Sequence, residues 1–227
     1  ESTGAIDSFR QVLARSPDHA DAHYNLALVL KVAHRDTEAT PEFLAAARSG
    51  HAGAQFFAGT AYARGFGVEP SLTQAIDWWS CAAAQGSTEA AAALAELRQI
   101  ALGRGRPGVT SRQAAESAFR DYRAGMWSEF PELTPTGDDD SVGAALLRQG
   151  RGREAVPVLI REASALSESA QSALETIYLR GLDGQVPAHD ARILSYFKTA
   201  AAEGQPRAQR LLQELQAASE AAPAPAR

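Results

Sequence analysis

The sequence has little cysteine, only a small excess of charge of one sign, and no long apolar run. Its single cysteine, Cys81, excludes an internal disulfide framework and a metal site built from several thiolates. No apolar stretch approaches the roughly 20 residues that a helix needs to cross a bilayer. The net charge of −5 is small and no basic run is long, which argues against nucleic-acid or membrane-surface binding.

Alanine is the residue that the chain has in excess. Hydrophobic residues make up 45% of the 227 residues, but valine, isoleucine and phenylalanine are sparse among them. Because alanine is the best helix former and lets helices approach closely, the composition predicts an all-α protein. The chain starts at Glu1 without a methionine and in the middle of a repeat pattern. We therefore expect the natural chain to extend further towards its N terminus.

The segment from Ala54 to Ala90 recurs between Ala170 and Ala208. Each copy has a tyrosine followed by a glycine, then two aromatic residues, two alanines and another glycine, and the second copy has two extra loop residues. So many matches at fixed spacing indicate an internal repeat. The matched pairs are Tyr62 with Tyr178, Gly65 with Gly181, Trp78-Trp79 with Tyr196-Phe197, Ala82-Ala83 with Ala200-Ala201, and Gly86 with Gly204.

Each copy of this segment predicts two helices. In the first copy, apolar and small residues recur every three or four positions over residues 55–64, which is the helical period. Gly65 suits a left-handed C-terminal cap, because a β-carbon is disfavoured there. Pro70 prevents continuation, and Ser71 can cap a second helix that we expect to end at Gly86. Aromatic and alanine residues on that second helix would pack one hairpin on the next.

These motifs resemble the Sel-one-like repeat, with its pattern A-x-x-x-L-G-x-x-Y-x-x-G-x-G-V followed by A-x-x-W-Y-x-x-A-A-x-x-G. The first copy departs from it at Ala58, where leucine is usual. The second copy lacks the glycine after Leu174 and has a longer loop. The resemblance implies a bacterial-type scaffold, of a kind frequent in the envelope or periplasm, so we favour that compartment over the cytoplasm.

The related tetratricopeptide pattern precedes the first copy. "ADAHYNLALVL" is followed by Ala39, Phe43 and Ala46, which resemble the small-large-small signature of that repeat. Residues 5–17 resemble the end of a preceding repeat, and a degenerate copy is predicted in "DDDSVGAALLRQGRGREAVPVLIREASAL". Together these resemblances imply an all-α, right-handed superhelical solenoid of antiparallel helix pairs.

The predicted organisation is repeats at 1–102, a loop-helix-loop insert at 103–137, repeats at 138–219, and an aperiodic tail at 220–227. Two interpretations of the insert stay open. The helix from Ser111 to Gly125 could complete the repeat begun at Glu89, or the insert could separate two subdomains. We favour the first, because a solenoid tolerates insertions as surface loops.

Two loop motifs have the outline of ligand-binding segments. Residues 103–108 fit G-x-G-x-x-G, but a helix precedes them and Pro107 lacks an N–H that a phosphate would need. Residues 138–140 are three aspartates without the later ligands or the central glycine of a calcium loop. We expect the first motif to end a helix and the second to lie in the first turn of one, where negative charge is favoured.

Clustered histidines and carboxylates predict no reactive site. His19, Asp21 and His23 have a spacing that could hold a metal, but we expect His19 in a first turn facing solvent. His23 is expected to fill the bulky position of the tetratricopeptide pattern. Glu129 and Glu132 in "SEFPEL" could form an acid–base pair, although any chain of this composition offers such pairs. We therefore predict no catalytic residue, no metal and no cofactor.

A helical surface is the predicted site of binding. Tetratricopeptide proteins bind on a concave face lined by the first helix of each repeat, and the resemblance implies the same face here. The carboxylate-binding subset of that family needs several basic and amide residues at set places, and Asn25 alone fits. Binding by the convex face or by the insert is the alternative. The predicted partner-binding residues are Asp21, Tyr24, Asn25, Leu28, Lys31, Phe56, Thr60 and Arg64.

The sequence thus predicts a non-catalytic adaptor or scaffold with protein or peptide partners, no nucleic-acid partner and no transmembrane segment in this chain. The alternative is an obligate structural or regulatory subunit of a larger envelope or enzyme complex, with membrane association only through a partner. A hydrolase acting from the insert would need a nucleophile and a base near residues 127–132, and the sequence shows no such grouping.

Overall fold

The computed structural model describes residues 2–106, 110–135 and 141–221. In these ranges the chain folds into twelve α-helices and one short 3₁₀ helix, with no strand beyond an isolated bridge between Leu182 and Val186. This confirms the predicted all-α class. None of the helices in these ranges has the length and apolar character of a membrane span. The helices are α1 (Ser2–Arg15), α2 (Ala20–Val32), α3 (Asp36–Arg48), α4 (Ala52–Arg64), α5 (Leu72–Ala84), α6 (Thr88–Ala101), α7 (Arg112–Gly125), the 3₁₀ helix (Met126–Glu129), α8 (Val142–Arg148), α9 (Gly152–Ser164), α10 (Glu168–Arg180), α11 (Ala191–Ala202) and α12 (Pro206–Ala221).

The described helices belong to two compact units, which divide after Tyr122 inside α7. In the first unit each helix from α1 to α6 packs on the next, and in the second unit the same holds from α8 to α12. Short turns join these neighbours, so they form the antiparallel helix pairs that the repeats predict. The division falls within the predicted insert, whose assignment stays a prediction. The features outside the described residues are the aspartates 138–140, residues 107–108 of the glycine-rich segment, and residues 222–227 of the tail.

Side chains at the helix starts accept hydrogen bonds from backbone N–H groups that the helix itself leaves unpaired. Ser71 accepts one from the N–H three residues later, at 3.3 Å, which confirms its predicted capping role. The helix before it ends at Gly65 in the left-handed conformation, with φ 72° and ψ 32°, also as predicted. His19 and His51 are caps as well, since their Nδ1 atoms accept N–H groups at 3.3 and 3.1 Å. His19 therefore precedes the first turn instead of lying in it.

Small residues on α4 make room for an aromatic residue of α5. Trp79 is 8% exposed, and its ring lies against Gly59, where a β-carbon would be 2.4 Å from Trp79 Cδ1. Ala75 and Ala82, one turn to either side of Trp79, are fully buried. At Trp79 the aromatic and alanine stripe therefore contacts the other helix of its own hairpin, whereas the sequence predicted that the stripe would pack one hairpin on the next.

Candidate functional site

All eight predicted partner-binding residues lie on α2 or α4, and both of these helices pack on α3 in the first unit. Asp21 and Arg64 are exposed, and the other six are half-buried. The structure gathers several of them around two rings, those of His51 and Phe57, that the sequence analysis did not single out. The two groups meet at Tyr24, which faces both rings.

The first group surrounds His51, the residue that caps α4. The Tyr24 ring stacks on the His51 ring, with centroids 4.1 Å apart and an interplanar angle of 25°. His51 Nδ1 accepts the Ala54 N–H at 3.1 Å, so the ring proton lies on Nε2, which is 3.7 Å from Asp21 Oδ1. The cap therefore orients the His51 ring, and that ring in turn supports Tyr24.

The second group surrounds Phe57, in the second turn of α4. Its ring stacks on Phe43 of α3 at 4.6 Å and also faces Tyr24 at 6.3 Å. The Lys31 ammonium lies 5.8 Å from the Phe57 centroid and 5.7 Å from the Phe66 centroid. Both distances are within the range of a cation–π contact. Lys31 thus joins the end of α2 to α4 and to the loop that follows α4.

The loop after α4 has a fixed backbone at Phe66. The Thr40 hydroxyl donates to the Phe66 carbonyl at 2.7 Å. The next residue, Gly67, has φ +67° and touches the start of α3, where a β-carbon would come within 2.9 Å of the Asp36 carbonyl oxygen. Above this backbone the Phe66 side chain is 36% exposed. The sequence signal that could have identified it is an aromatic residue between two glycines in a loop.

The remaining predicted residues make fewer contacts. Leu28 packs against the apolar core of the unit, and Phe56 lies 5.6 Å from the neighbouring phenylalanine ring. The Thr60 hydroxyl donates to a carbonyl of its own helix at 3.0 Å. In the part of the chain that the structure describes, Asn25 and Arg64 have no hydrogen-bond or ionic partner. We define the α2–α4 surface as Tyr24, Lys31, His51, Phe57 and Phe66.

His23 makes polar contacts that the packing role expected for it does not include. Its Nδ1 lies 2.6 Å from Glu42 Oε2, and its Nε2 lies 2.7 Å from the Pro17 carbonyl oxygen. Both ring nitrogens of His23 therefore lie within hydrogen-bond distance of protein oxygens. His19, His23 and Asp21 thus have separate partners. Within the described ranges, no group of three or more metal-ligating side chains converges.

The two glutamates of "SEFPEL" face different arginines in the second unit. Glu129 accepts hydrogen bonds from Arg161 at 2.7 and 2.5 Å, and Glu132 accepts one from Arg151 at 2.8 Å. In each case hydrogen bonding to the guanidinium holds the pKa of the glutamate below its ordinary value. A general acid needs a raised pKa. The two residues therefore do not form the acid–base pair considered from the sequence.

A buried carboxylate that the sequence did not indicate lies in the second unit. Glu162 on α9 is 2% exposed. Its oxygens accept the N–H groups of Val142 at 2.8 Å and Gly143 at 3.3 Å, at the start of α8. Burial raises the pKa of Glu162, and the hydrogen bonds and the charge of Arg123 oppose that rise. Glu162 thus supplies hydrogen-bond acceptors to the start of α8 from a position away from solvent.

Comparisons with known proteins find similarity among solved structures. No family model matches the chain, and no curated protein matches it. The chain is similar to a Sel1 repeat protein from Oxalobacter formigenes, with 21% identity over 93% of this chain and 86% of that one and a TM-score of 0.36. It is also similar to a protective antigen of uropathogenic Escherichia coli with an SLR fold, with 19% identity over 90% of this chain and a TM-score of 0.35. The chain spans 50% of that antigen.

Proposed function

We propose that this chain is a non-catalytic scaffold that binds a protein or peptide partner on the α2–α4 surface. The observation that carries the proposal is the Phe66 ring, which is 36% exposed beside the Lys31 ammonium and rests on a fixed backbone. Aromatic side chains are enriched in the central parts of protein interfaces. A backbone that is already ordered lowers the entropy cost of binding.

The polar rings near this surface have structural partners, which supports binding over catalysis. His51 caps α4, and His23 bridges a carboxylate of α3 and the carbonyl of Pro17. A general base must reach a substrate proton with a free acceptor. The His51 acceptor is occupied by a backbone N–H, and both nitrogens of His23 face protein oxygens. What this region offers a ligand is apolar ring area and positive charge.

Affinity capture with a surface variant tests the proposal. Phe66→Ala removes the exposed ring and keeps the backbone carbonyl that accepts from Thr40. Tyr24→Ala is a poorer choice, because Tyr24 packs on Phe43 and its loss would open a cavity in the core. Leu179→Ala is the matched control, since Leu179 is an apolar residue of the second unit that is 46% exposed.

We expect the wild-type chain and Leu179→Ala to retain the same partner from an extract of the native cell, and Phe66→Ala to retain at least about fivefold less. Circular dichroism and thermal melts of the three proteins would show whether they are equally folded. Equal recovery by all three would exclude the α2–α4 surface as the main binding site. Precipitation of the chain when it is produced alone would favour the obligate subunit instead.

A further inference from the structure

We infer that the partner segment presents an acidic side chain next to an apolar one, so that Lys31 receives the carboxylate and Phe66 receives the apolar group. The inference rests on the proposed function and names the chemistry of its ligand. The occupant is a segment of another protein whose aspartate or glutamate side chains are recognised.

Lys31 is a cation that the structure pairs with aromatic rings. Its ammonium lies 5.8 and 5.7 Å from the centroids of Phe57 and Phe66. In the described ranges, no carboxylate or carbonyl oxygen forms an ion pair or hydrogen bond with it. A ring face attracts a cation but does not replace an acceptor for its three N–H donors. Those donors therefore stay available to a ligand that covers the two rings.

The acidic side chains closest in the sequence do not neutralise this cation. Glu38 pairs with Arg35 at 2.6 Å. Asp21 lies ten residues before Lys31 on α2, about 15 Å away along the helix. Asp36 occupies the first turn of α3, where the helix dipole favours a negative charge. A carboxylate that reaches Lys31 would therefore have to come from a ligand.

A second cation extends the surface along α4. Arg64 follows Phe57 by seven residues, so both lie on the same side of α4 and about 10 Å apart. Arg64 is exposed and has no ionic partner among the described residues. Exposed apolar area thus lies beside two positive charges. Its complement is a segment with an apolar side chain and one or two carboxylates, because hydrogen bonds between ions are stronger than those between neutral groups.

The second copy of the repeat lacks the two phenylalanines at the matching positions. Ala173 and Leu182 occupy the positions that match Phe57 and Phe66. The other lysine of the chain, Lys198, is exposed on α11. The inference therefore applies to the first unit alone, and the second unit supplies matched control positions.

Selection from a displayed library of random peptides tests the inference with a defined probe. The library is panned against the wild-type chain, and the selected peptides are synthesised with amidated C termini, so that side chains carry the only carboxylates. Fluorescence anisotropy then gives the affinity for wild type, Lys31→Met and Arg64→Met. Lys198→Met and Arg180→Met are the controls, since Arg180 is the match of Arg64 in the second copy.

We expect the selected peptides to carry aspartate or glutamate next to leucine or an aromatic residue. Lys31→Met should weaken their binding about tenfold and Arg64→Met about threefold, while the controls stay within about twofold of wild type. Changing the peptide's acidic residues to asparagine or glutamine should cause the same loss with wild type. That loss should disappear with Lys31→Met, because the two changes remove one interaction.

Two results would overturn the inference and leave the proposed function standing. In the first, peptides that depend on Phe66 bind equally well with acidic or amide side chains. In the second, amidation of the peptide's C terminus abolishes binding, which would assign recognition to a chain terminus. Failure to select any peptide, or peptides whose affinity changes with none of the surface variants, would count against both the inference and the proposed function.

Discussion

The two copies of the repeat carry different residues at two matching helix positions. In the first unit Gly59 leaves the space that Trp79 fills, since a β-carbon there would be 2.4 Å from the indole. In the second unit the same positions hold Glu175 and Phe197. The Glu175 side chain is 30% exposed and pairs with Arg207 at 2.9 Å. In the first copy the glycine thus makes room for the indole, whereas in the second copy the glutamate at the matching position pairs with an arginine of α12.

A third hairpin shows the same relation with other residues. A β-carbon on Gly143 of α8 would lie 2.5 Å from Leu159 Cγ on α9. In both units, therefore, a glycine on the first helix of a hairpin admits a large side chain from the second helix. At Gly59 and Gly143 a β-carbon would therefore meet a side chain that already occupies the space.

Exchanging the two matched residues should produce the largest effect. Gly59→Glu places a carboxylate against the buried Trp79 ring, and we expect it to destabilise the first unit by more than about 3 kcal/mol. The reverse change, Glu175→Gly, removes a partly exposed ion pair and adds helix flexibility, at a cost of about 1 kcal/mol. Urea unfolding followed by circular dichroism would measure both free energies.

A smaller ring opposite Gly59 provides the control for this explanation. In a Trp79→Phe background, Gly59→Ala should cost about 1–2 kcal/mol less than it does in the wild-type chain, because the phenyl ring leaves more space. If Gly59→Ala costs the same with either ring, the Trp79 indole is not the reason for the glycine.

Local patterns were sufficient to predict the helix pairs and several helix ends. Gly65 and Ser71 were identified because a left-handed cap and a hydroxyl cap depend on residues a few positions apart. Glu162 was missed, because its partner Val142 lies twenty residues away and no periodic pattern marks a buried acceptor. His51 was missed as a cap because histidine is outside the set of residues usually found there.

The contacts of the candidate site show the same limit of local patterns. The resemblance to tetratricopeptide repeats implied a concave binding face that includes Tyr24 and Lys31 on α2. It could not show that Phe57 and Phe66 lie beneath and beside the Lys31 ammonium, since these contacts join residues far apart in the chain. The hydrogen bond that holds the Phe66 carbonyl likewise comes from Thr40, twenty-six residues earlier.

Replacing Glu162, the buried carboxylate of the second unit, should have the second-largest effect on the free energy of unfolding. Glu162→Ala would leave the N–H groups of Val142 and Gly143 without an acceptor in the core, and we expect a loss of about 3 kcal/mol. Glu162→Gln keeps the shape but turns one acceptor into a donor, so we expect a smaller loss. Urea unfolding would measure both variants.

The pH dependence of stability would show whether burial disfavours the charged form of Glu162. Burial raises the pKa of Glu162 in the folded protein, so the folded state binds this proton more tightly than the unfolded chain does. The stability of wild type relative to Glu162→Gln should therefore be greatest below the ordinary glutamate pKa and fall as pH rises through the raised one. An advantage of wild type that grows with pH over this range would contradict the assignment.

The smallest effect is expected from replacing the caps of α5 and α11, the second helices of the two copies. Ser71 caps α5 with a neutral hydroxyl. Asp190 caps α11 with a carboxylate that accepts the Arg192 N–H at 2.9 Å and pairs with its guanidinium at 2.9 Å. Replacing either cap with alanine should cost about 1 kcal/mol at neutral pH.

The two caps should respond differently to acid. Hydrogen bonding to Arg192 lowers the pKa of Asp190 in the folded protein. The contribution of Asp190 is therefore present above the ordinary aspartate pKa and is lost as pH falls through the lowered one. Unfolding free energies measured across that range should show the cost of Asp190→Ala shrinking in acid, while the cost of Ser71→Ala stays constant. Parallel profiles for the two variants would mean that the charge of Asp190 contributes nothing to the start of α11, and that its oxygen acts there only as the Ser71 hydroxyl does.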